Sequence, residues 1–216
     1  MRIVTTFTDD VIEHFSALGQ IQTAQAGQTL LFQGEPSTHI GLIISGRAKA
    51  AAYSEEGAQT WLGRFDAGEF FGHIAFLSQS EIRFEVIAET DMQIRIIAAA
   101  QIEPLLKNTP EISELFARDL ARRLDTMMVR LVEALTLSAK GRVCAELFRL
   151  SNPIGVSPEK SVIRPNPVFV DLALRINSTR ETVSRTISEL SKQEIISREA
   201  GAIVIQNPDA LRRAIK

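Results

Sequence analysis

The stretch Asn177–Leu190, reading N-S-T-R-E-T-V-S-R-T-I-S-E-L, constrains this chain more than any other. Ser178 followed three residues later by Glu181 has the spacing of a capping box, which predicts a helix N-terminus here. Val183, Ile187 and Leu190 then fall at i, i+4 and i+7 and make one apolar face. Arg180, Glu181, Ser184 and Arg185 gather on the polar side within the first two turns. Upstream, Val170–Ile176 reads as a short apolar helix. Asn177 between them tolerates the left-handed backbone that a tight turn needs. Two short helices joined in this way predict a helix-turn-helix. The second would lie in a DNA major groove with its N-terminal residues at the base edges. A solvated helix face is the plainer use of the same charged residues.

Composition sets the frame. The chain has 216 residues, 45% apolar and 23% charged, which suits one large domain or two smaller soluble ones. No apolar run approaches the length of a membrane span, and the N-terminus lacks a signal-peptide pattern. The single cysteine, Cys144, excludes an intrachain disulfide and an iron–sulfur cluster held by several cysteines of one chain. A cytoplasmic protein with no membrane partner is expected. The net charge of −2 is unevenly spread: residues 1–137 carry 11 Lys+Arg against 18 Asp+Glu, and residues 138–216 carry 13 against 8. An acidic front and a basic back suit a sensor joined to a DNA-contacting part.

In order along the chain, Asp9–Gln20 reads as a short amphipathic helix. From Ile21 to Ile97, short apolar runs alternate with glycine turns, the pattern of a β-sandwich or barrel. The runs are Thr29–Phe32, Ile40–Ile44, Ala48–Tyr53, Thr60–Phe65, Phe84–Ala88 and Met92–Ile97. Residues 110–137 predict a long helix, opened by Pro110 with Glu111 and Glu114 near its positive end. Leu120, Leu124, Met127, Leu131 and Ala134 recur on it at spacings of four and three, an a/d seam. The seam stops at Leu137–Ser138, the expected hinge, and Gly141–Leu150 starts another amphipathic helix. Four prolines make residues 151–167 a loop with at most short strand pieces. After the recognition helix, Ile195–Ser197 and Ala202–Ile205 flank a Gly201 turn and predict a hairpin-like wing. The fold class is therefore α+β. The expected domains are a strand-rich domain over 1–109, a long helix over 110–137 and a helix-turn-helix domain over 138–216.

The run Arg180-Glu181-Thr182-Val183-Ser184-Arg185 resembles the recognition helix of the cyclic-AMP receptor protein and FNR (CRP/FNR) family. Three turn motifs are similar to that family's cyclic-nucleotide-binding β-roll (jelly roll): Phe32-Gln33-Gly34-Glu35, Leu42-Ile43-Ile44-Ser45-Gly46 and Gly68-Glu69-Phe70-Phe71-Gly72. The resemblance runs from about Ile21 to Ile205. It implies a bacterial transcription regulator with a winged helix-turn-helix. Residues Leu120, Leu124, Met127 and Leu131 would form a homodimer interface. It also implies base contacts from Arg180, Glu181 and Arg185, backbone contacts from Ser178 and Thr179, and a palindromic double-stranded DNA operator. RNA polymerase is the implied protein partner, through a loop corresponding to 151–167.

The effector is less legible. In cAMP-responsive members a ribose-binding Glu follows the second glycine of the turn, and an Arg-Ser pair about ten residues on holds the phosphate. Here Gly72 is followed by His73, Arg83 is present, and Phe84 and Glu85 stand where small or hydroxyl residues would be. Met127 and Met128 take the place of the hydroxyl pair that meets adenine. Arg83 would pair either with an anion or with Glu85. Gly72, His73, Arg83, Phe84, Met127 and Met128 are thus pocket candidates for an unidentified effector, with cyclic nucleotide disfavoured. The cysteine cluster of FNR-type oxygen sensors is absent, and a haem ligand would have to be His73. Two rival readings are a cyclic-nucleotide-responsive regulator and a cupin-like metal-binding protein. The latter has only His14, His39 and His73 to draw on, without an H-x-H pair. No serine–histidine set, P-loop or dinucleotide fingerprint points to an enzyme.

Overall fold

Short β-branched and aromatic runs cut by glycine turns cannot propagate a helix, and they fold as strands. The structure, a computed structural model, describes Phe15, residues 17–151 and residues 161–216. They fall into two compact units, divided in the chain between residues 126 and 127. The first unit holds β1 (Gln20–Ala24), β2 (Thr29–Leu31), β3 (His39–Ser45), β4 (Arg47–Tyr53), β5 (Gln59–Asp66), β6 (Phe70–Phe71), β7 (Glu85–Ala88) and β8 (Met92–Ala98). They form two four-stranded antiparallel sheets, ordered β1-β8-β3-β6 and β2-β7-β4-β5. The alternating side chains of these strands meet in a core that includes Leu31, Ile43, Ala50, Phe65, Phe71, Val86 and Ile94. Gly41 is there because it pairs with Phe71: a Cβ at 41 would sit 1.9 Å from the Phe71 ring.

Among the described residues this unit also holds the helices α1 (His73–Ser78), α2 (Ala99–Asn108) and the long α3 (Pro110–Thr136), whose residues to 126 belong here. Ile102, Ile112 and Phe116 from α2 and α3 pack with Phe15, Ile40, Leu42, Phe70 and Ile97 in a second core. The sequence pattern does not predict α2, which carries Pro104 inside it. It also misses β1, an edge strand whose first four residues are exposed and so lack a buried signature. The expected helix over residues 9–20 lies mostly outside the described residues, and Gln20 already belongs to β1.

The second unit contains the end of α3, then α4 (Ala139–Ser151), β9 (Ser161–Ile163), α5 (Phe169–Arg175), α6 (Arg180–Lys192), β10 (Ile196–Glu199), β11 (Ala202–Ile205) and α7 (Pro208–Arg213). Leu137 and Ser138 separate α3 from α4, and Ser138 Oγ caps α4 by accepting from Gly141 N at 3.1 Å. The three strands form an antiparallel sheet, order β10-β11-β9, with a turn at Gly201 that makes the wing. Val143, Leu147, Leu172, Ile176, Val183, Ile187, Leu190, Ile203 and Leu211 fill one core beneath it. Cys144 is buried there, and burial pushes its thiol up to about 11, so it packs as an inert small side chain. The chain has the expected fold class, a β-roll followed by a long helix and a winged helix-turn-helix. No helix among the described residues is long and apolar enough to cross a membrane.

Candidate DNA-reading interface and effector pocket

The reading helix is positioned by its apolar stripe. Val183, Ile187 and Leu190 are completely buried, and each contributes roughly 1.5–3 kcal/mol by leaving water. This fixes the rotation of α6 and leaves Arg180, Glu181 and Arg185 exposed on the other side. The turn before it is tight. Asn177 adopts φ 49°, and Ser178 N and Asn177 N donate to Ala173 O at 3.0 Å and Leu174 O at 3.3 Å.

The cap differs from the predicted one. Thr179, not Ser178, is the N-cap, and its Oγ1 accepts from Thr182 N at 3.2 Å. Ser178 lies one residue before the cap, so Glu181 falls one position short of completing a capping box. The Glu181 carboxyl is held below its usual range by its own backbone N–H, then by the Thr179 hydroxyl and Arg180. Its charge also suits the positive end of the helix.

In the first unit, a small cavity opens against the start of α1. Leu31, Gly72, Ser80, Glu81, Arg83 and Phe84 are among the residues that line it. Gly72 takes φ 82°, and a Cβ there would crowd His39 O at 3.1 Å and Leu31 Cδ1 at 3.2 Å. Three of the sequence candidates, Gly72, Arg83 and Phe84, are brought together here. Glu85 instead begins β7, paired with Ala51, and forms no ion pair with Arg83. Met127 and Met128 are exposed on α3.

His73 is a correction to the sequence reading. Its side chain is 1% exposed and turns away from the cavity into a charged cluster. Nε2 lies 3.0 Å from Asp119 Oδ2, at ion-pair distance. Asp119 also accepts from Arg122 Nη2 at 2.7 Å and Arg123 Nε at 2.6 Å, and Arg122 reaches Glu69 Oε1 at 2.6 Å. Asp119, Arg122 and Arg123 recur at i, i+3 and i+4, the spacing of one helix face, and that signal was available in the sequence. Among the described residues no group of His, Cys, Asp and Glu could hold a metal ion.

Comparison with known proteins places this geometry. Residues 21–109 match the cyclic nucleotide-binding domain, and residues 141–214 match the Crp-like helix-turn-helix domain. Together these two domains, in this order, account for most of the chain. The chain belongs to the CRP/FNR family. As a CRP/FNR-family regulator it is 25% identical over 201 residues to the cAMP-activated global transcriptional regulator CRP of Haemophilus influenzae, covering 93% of this chain and 90% of that one. It is 24% identical over 189 residues to a CRP-like cAMP-activated regulator of Mycobacterium tuberculosis, covering 87% and 84%.

Solved structures of the same fold include the c-di-GMP responsive global regulator CLP of Xanthomonas campestris. That comparison has TM-score 0.78 and 19% identity, over 91% of this chain and 98% of that one. A CRP/FNR-family regulator of Thermus thermophilus follows at TM-score 0.70 and 26% identity, over 91% and 98%. In this CRP/FNR regulator the domain order therefore sets a β-roll before the long helix and a DNA-binding helix-turn-helix after it.

Proposed function

We propose that this regulator is a cytoplasmic, non-enzymatic homodimer that reads a palindromic operator through α6 and acts with RNA polymerase. The observation that carries the reading is the rotation of α6: burial of Val183, Ile187 and Leu190 turns Arg180, Glu181 and Arg185 outward together. Arg180 and Arg185 each have the planar fork that donates twice to guanine O6 and N7, and Glu181 accepts from a cytosine amino group. Ser178 and Thr179, at the helix start, meet phosphate. Residues 1–109 serve as sensor, 110–137 as dimerisation helix and 138–216 as DNA reader.

Dimerisation is supported by an apolar face on α3 that its own chain leaves uncovered. Leu124 is 60% exposed, Leu131 59% and Leu135 76%, with Met127, Met128 and Val132 beside them. Leu120 begins the same seam half-buried. An uncovered stripe at coiled-coil spacing on a 27-residue helix fits a second copy of that helix.

The effector differs in class from cAMP. A cyclic nucleotide needs donors for an anionic phosphate and a carboxylate for the ribose. The cavity offers the Arg83 guanidinium and the Ser80 hydroxyl, but an aromatic ring at Phe84 and a carboxylate at Glu81. His73, where the ribose carboxylate would be, is committed to Asp119. This donor set does not fit the nucleotide, and an apolar ligand with one anionic group fits it better. Selection of binding sites from random duplex DNA tests the main reading. A recovered palindrome supports it, and the absence of any enriched sequence overturns it.

A further inference from the structure

The helix-turn-helix turn contains three consecutive carbonyls, those of Arg175, Ile176 and Asn177, and each accepts from a guanidinium. Arg130 Nη1 donates to Arg175 O at 3.3 Å. Arg142 Nε donates to Ile176 O at 2.9 Å, and its Nη2 donates to Asn177 O at 3.3 Å. The Arg175 and Ile176 carbonyls close α5 at the negative end of its dipole, and the Asn177 carbonyl belongs to the turn that follows.

Arg142 does more than cap. Its Nη1 also donates to Leu137 O at 3.0 Å, so one planar group joins the hinge after α3 to the turn before α6. The fork makes this possible, because Arg presents several donors in fixed directions while Lys presents a single point charge. Arg130 adds a parallel strap. It sits on α3 and pairs with the buried Glu146 at 3.3 Å, and Glu146 also holds Arg149 at 2.5 Å and Arg175 at 3.5 Å.

We infer that Arg142 is a positioning residue of the DNA reader, locking the turn that aims α6 to the hinge carbonyl of Leu137. This rests on the proposal that α6 reads DNA. Arg142 sits on α4, which shares one core with α5 and α6, so a bend at Leu137–Ser138 withdraws the Leu137 carbonyl while Arg142 stays with the turn. The role is defined by these protein contacts: Nε, Nη1 and Nη2 each donate one N–H to a carbonyl, and the side chain is half-buried.

The test uses the full chain with Arg142→Gln and Arg142→Lys, the latter keeping the stem and charge so that the unit still folds. Affinity is measured for the selected palindrome and for an unrelated duplex over a range of salt, and amide exchange is followed across residues 174–185. Both variants should lose about tenfold in affinity for the palindrome, since neither side chain spans three carbonyls. Affinity for the unrelated duplex and the salt dependence should stay unchanged, and amides of the turn should exchange faster than in the wild type. A folded variant with an unchanged ratio of specific to non-specific affinity overturns the inference. A uniform loss with a salt slope lower by about one would mean that Arg142 contacts phosphate, and that also overturns it. If the wild type enriches no DNA, the DNA-reading proposal fails. Exchange at the turn then still decides whether Arg142 holds it, and unchanged exchange overturns that.

Discussion

His73 Nε2 lies 3.0 Å from Asp119 Oδ2, joining the first residue of α1 at the cavity to the middle of the long helix. Both side chains are buried, and Arg122 and Arg123 close the other sides of the carboxylate. Burial pushes the His73 pKa down, against the pull of the Asp119 carboxylate. Asp119 is held well below the usual carboxylate range: burial opposes this, and His73, Arg123 and Arg122 outweigh it. At neutral pH the pair is a neutral imidazole against an ionised carboxylate that two arginines neutralise.

Acid should weaken the fold through this pair. Because the folded-state pKa of His73 lies below the ordinary value near 6.5, the unfolded chain binds more protons as pH drops through that region. The stability is present above about pH 6.5 and is lost on acidification, with a slope of up to about 1.4 kcal/mol per pH unit from this residue. Asp119, also depressed, adds a loss that begins only in the ordinary carboxylate range near pH 4. His39, lowered by burial with Glu35 opposing, contributes a share of its own. Thermal melts between pH 8 and pH 5 should show a shallower decline in His73→Gln than in wild type. Equal slopes would mean His73 is not the titrating group.

Asp119→Asn should be more damaging than His73→Gln. Removing the charge leaves Arg122 and Arg123 facing Glu69 alone, and breaking one side of a buried ion pair costs roughly 3–5 kcal/mol. Urea melts of the two variants decide this, and a loss below about 1 kcal/mol for Asp119→Asn would show that the cluster is structurally idle.

Charged substitution at Leu124 and Leu131 together should produce monomers that no longer bind the operator. Each leucine is more than half exposed within its own chain, so the change should leave the fold and melting temperature of the monomer intact. Sedimentation at micromolar concentration reads the outcome. A wild-type monomer at that concentration would remove the dimer proposal.

Calorimetric titration with cAMP should give no binding at micromolar concentrations, and a dissociation constant in that range would contradict the proposal. Phe84→Ser, which returns a hydroxyl beside Arg83, should raise affinity for the nucleotide. Restoring the ribose carboxylate is not a matter of His73→Glu alone. That change sets a second negative charge within about 4 Å of Asp119, a repulsion of about 4 kcal/mol at an effective dielectric near 20.

The strands, the long helix and the reading motif were legible because each repeats an apolar signal at its own period. Val183, Ile187 and Leu190 announce α6, and Asn177 announces the turn. What the sequence left unread is carried by single polar residues paired across elements. Nothing local tells that Asp119 meets His73, 46 positions away, or that Arg142 reaches Asn177, 35 positions away. Short exposed pieces were also unread, as in β1, where only Ala24 is buried. The cap was misplaced by one residue because Ser178 and Thr179 are both good caps. Only the φ/ψ of the turn chooses between them.

That shift changes what substitutions on the reading helix should do. Arg180→Ala or Arg185→Ala should cost roughly 1–3 kcal/mol of operator affinity and relax preference at one base pair in each half-site. The intact R-E-x-x-x-R pattern implies half-sites similar to TGTGA, centred about one helical turn apart. Thr179→Ala now removes the observed cap, so it should lower helix stability by about 1 kcal/mol and weaken binding without altering the consensus. Ser178→Ala removes no cap and should leave stability unchanged, so any loss it causes belongs to phosphate. Glu181→Gln separates charge from shape, because Gln keeps the length and an acceptor but adds donors that change the groove chemistry. Site selection from random DNA with each variant is the measurement. If the Arg180, Glu181 and Arg185 variants all return the wild-type consensus, α6 does not read bases.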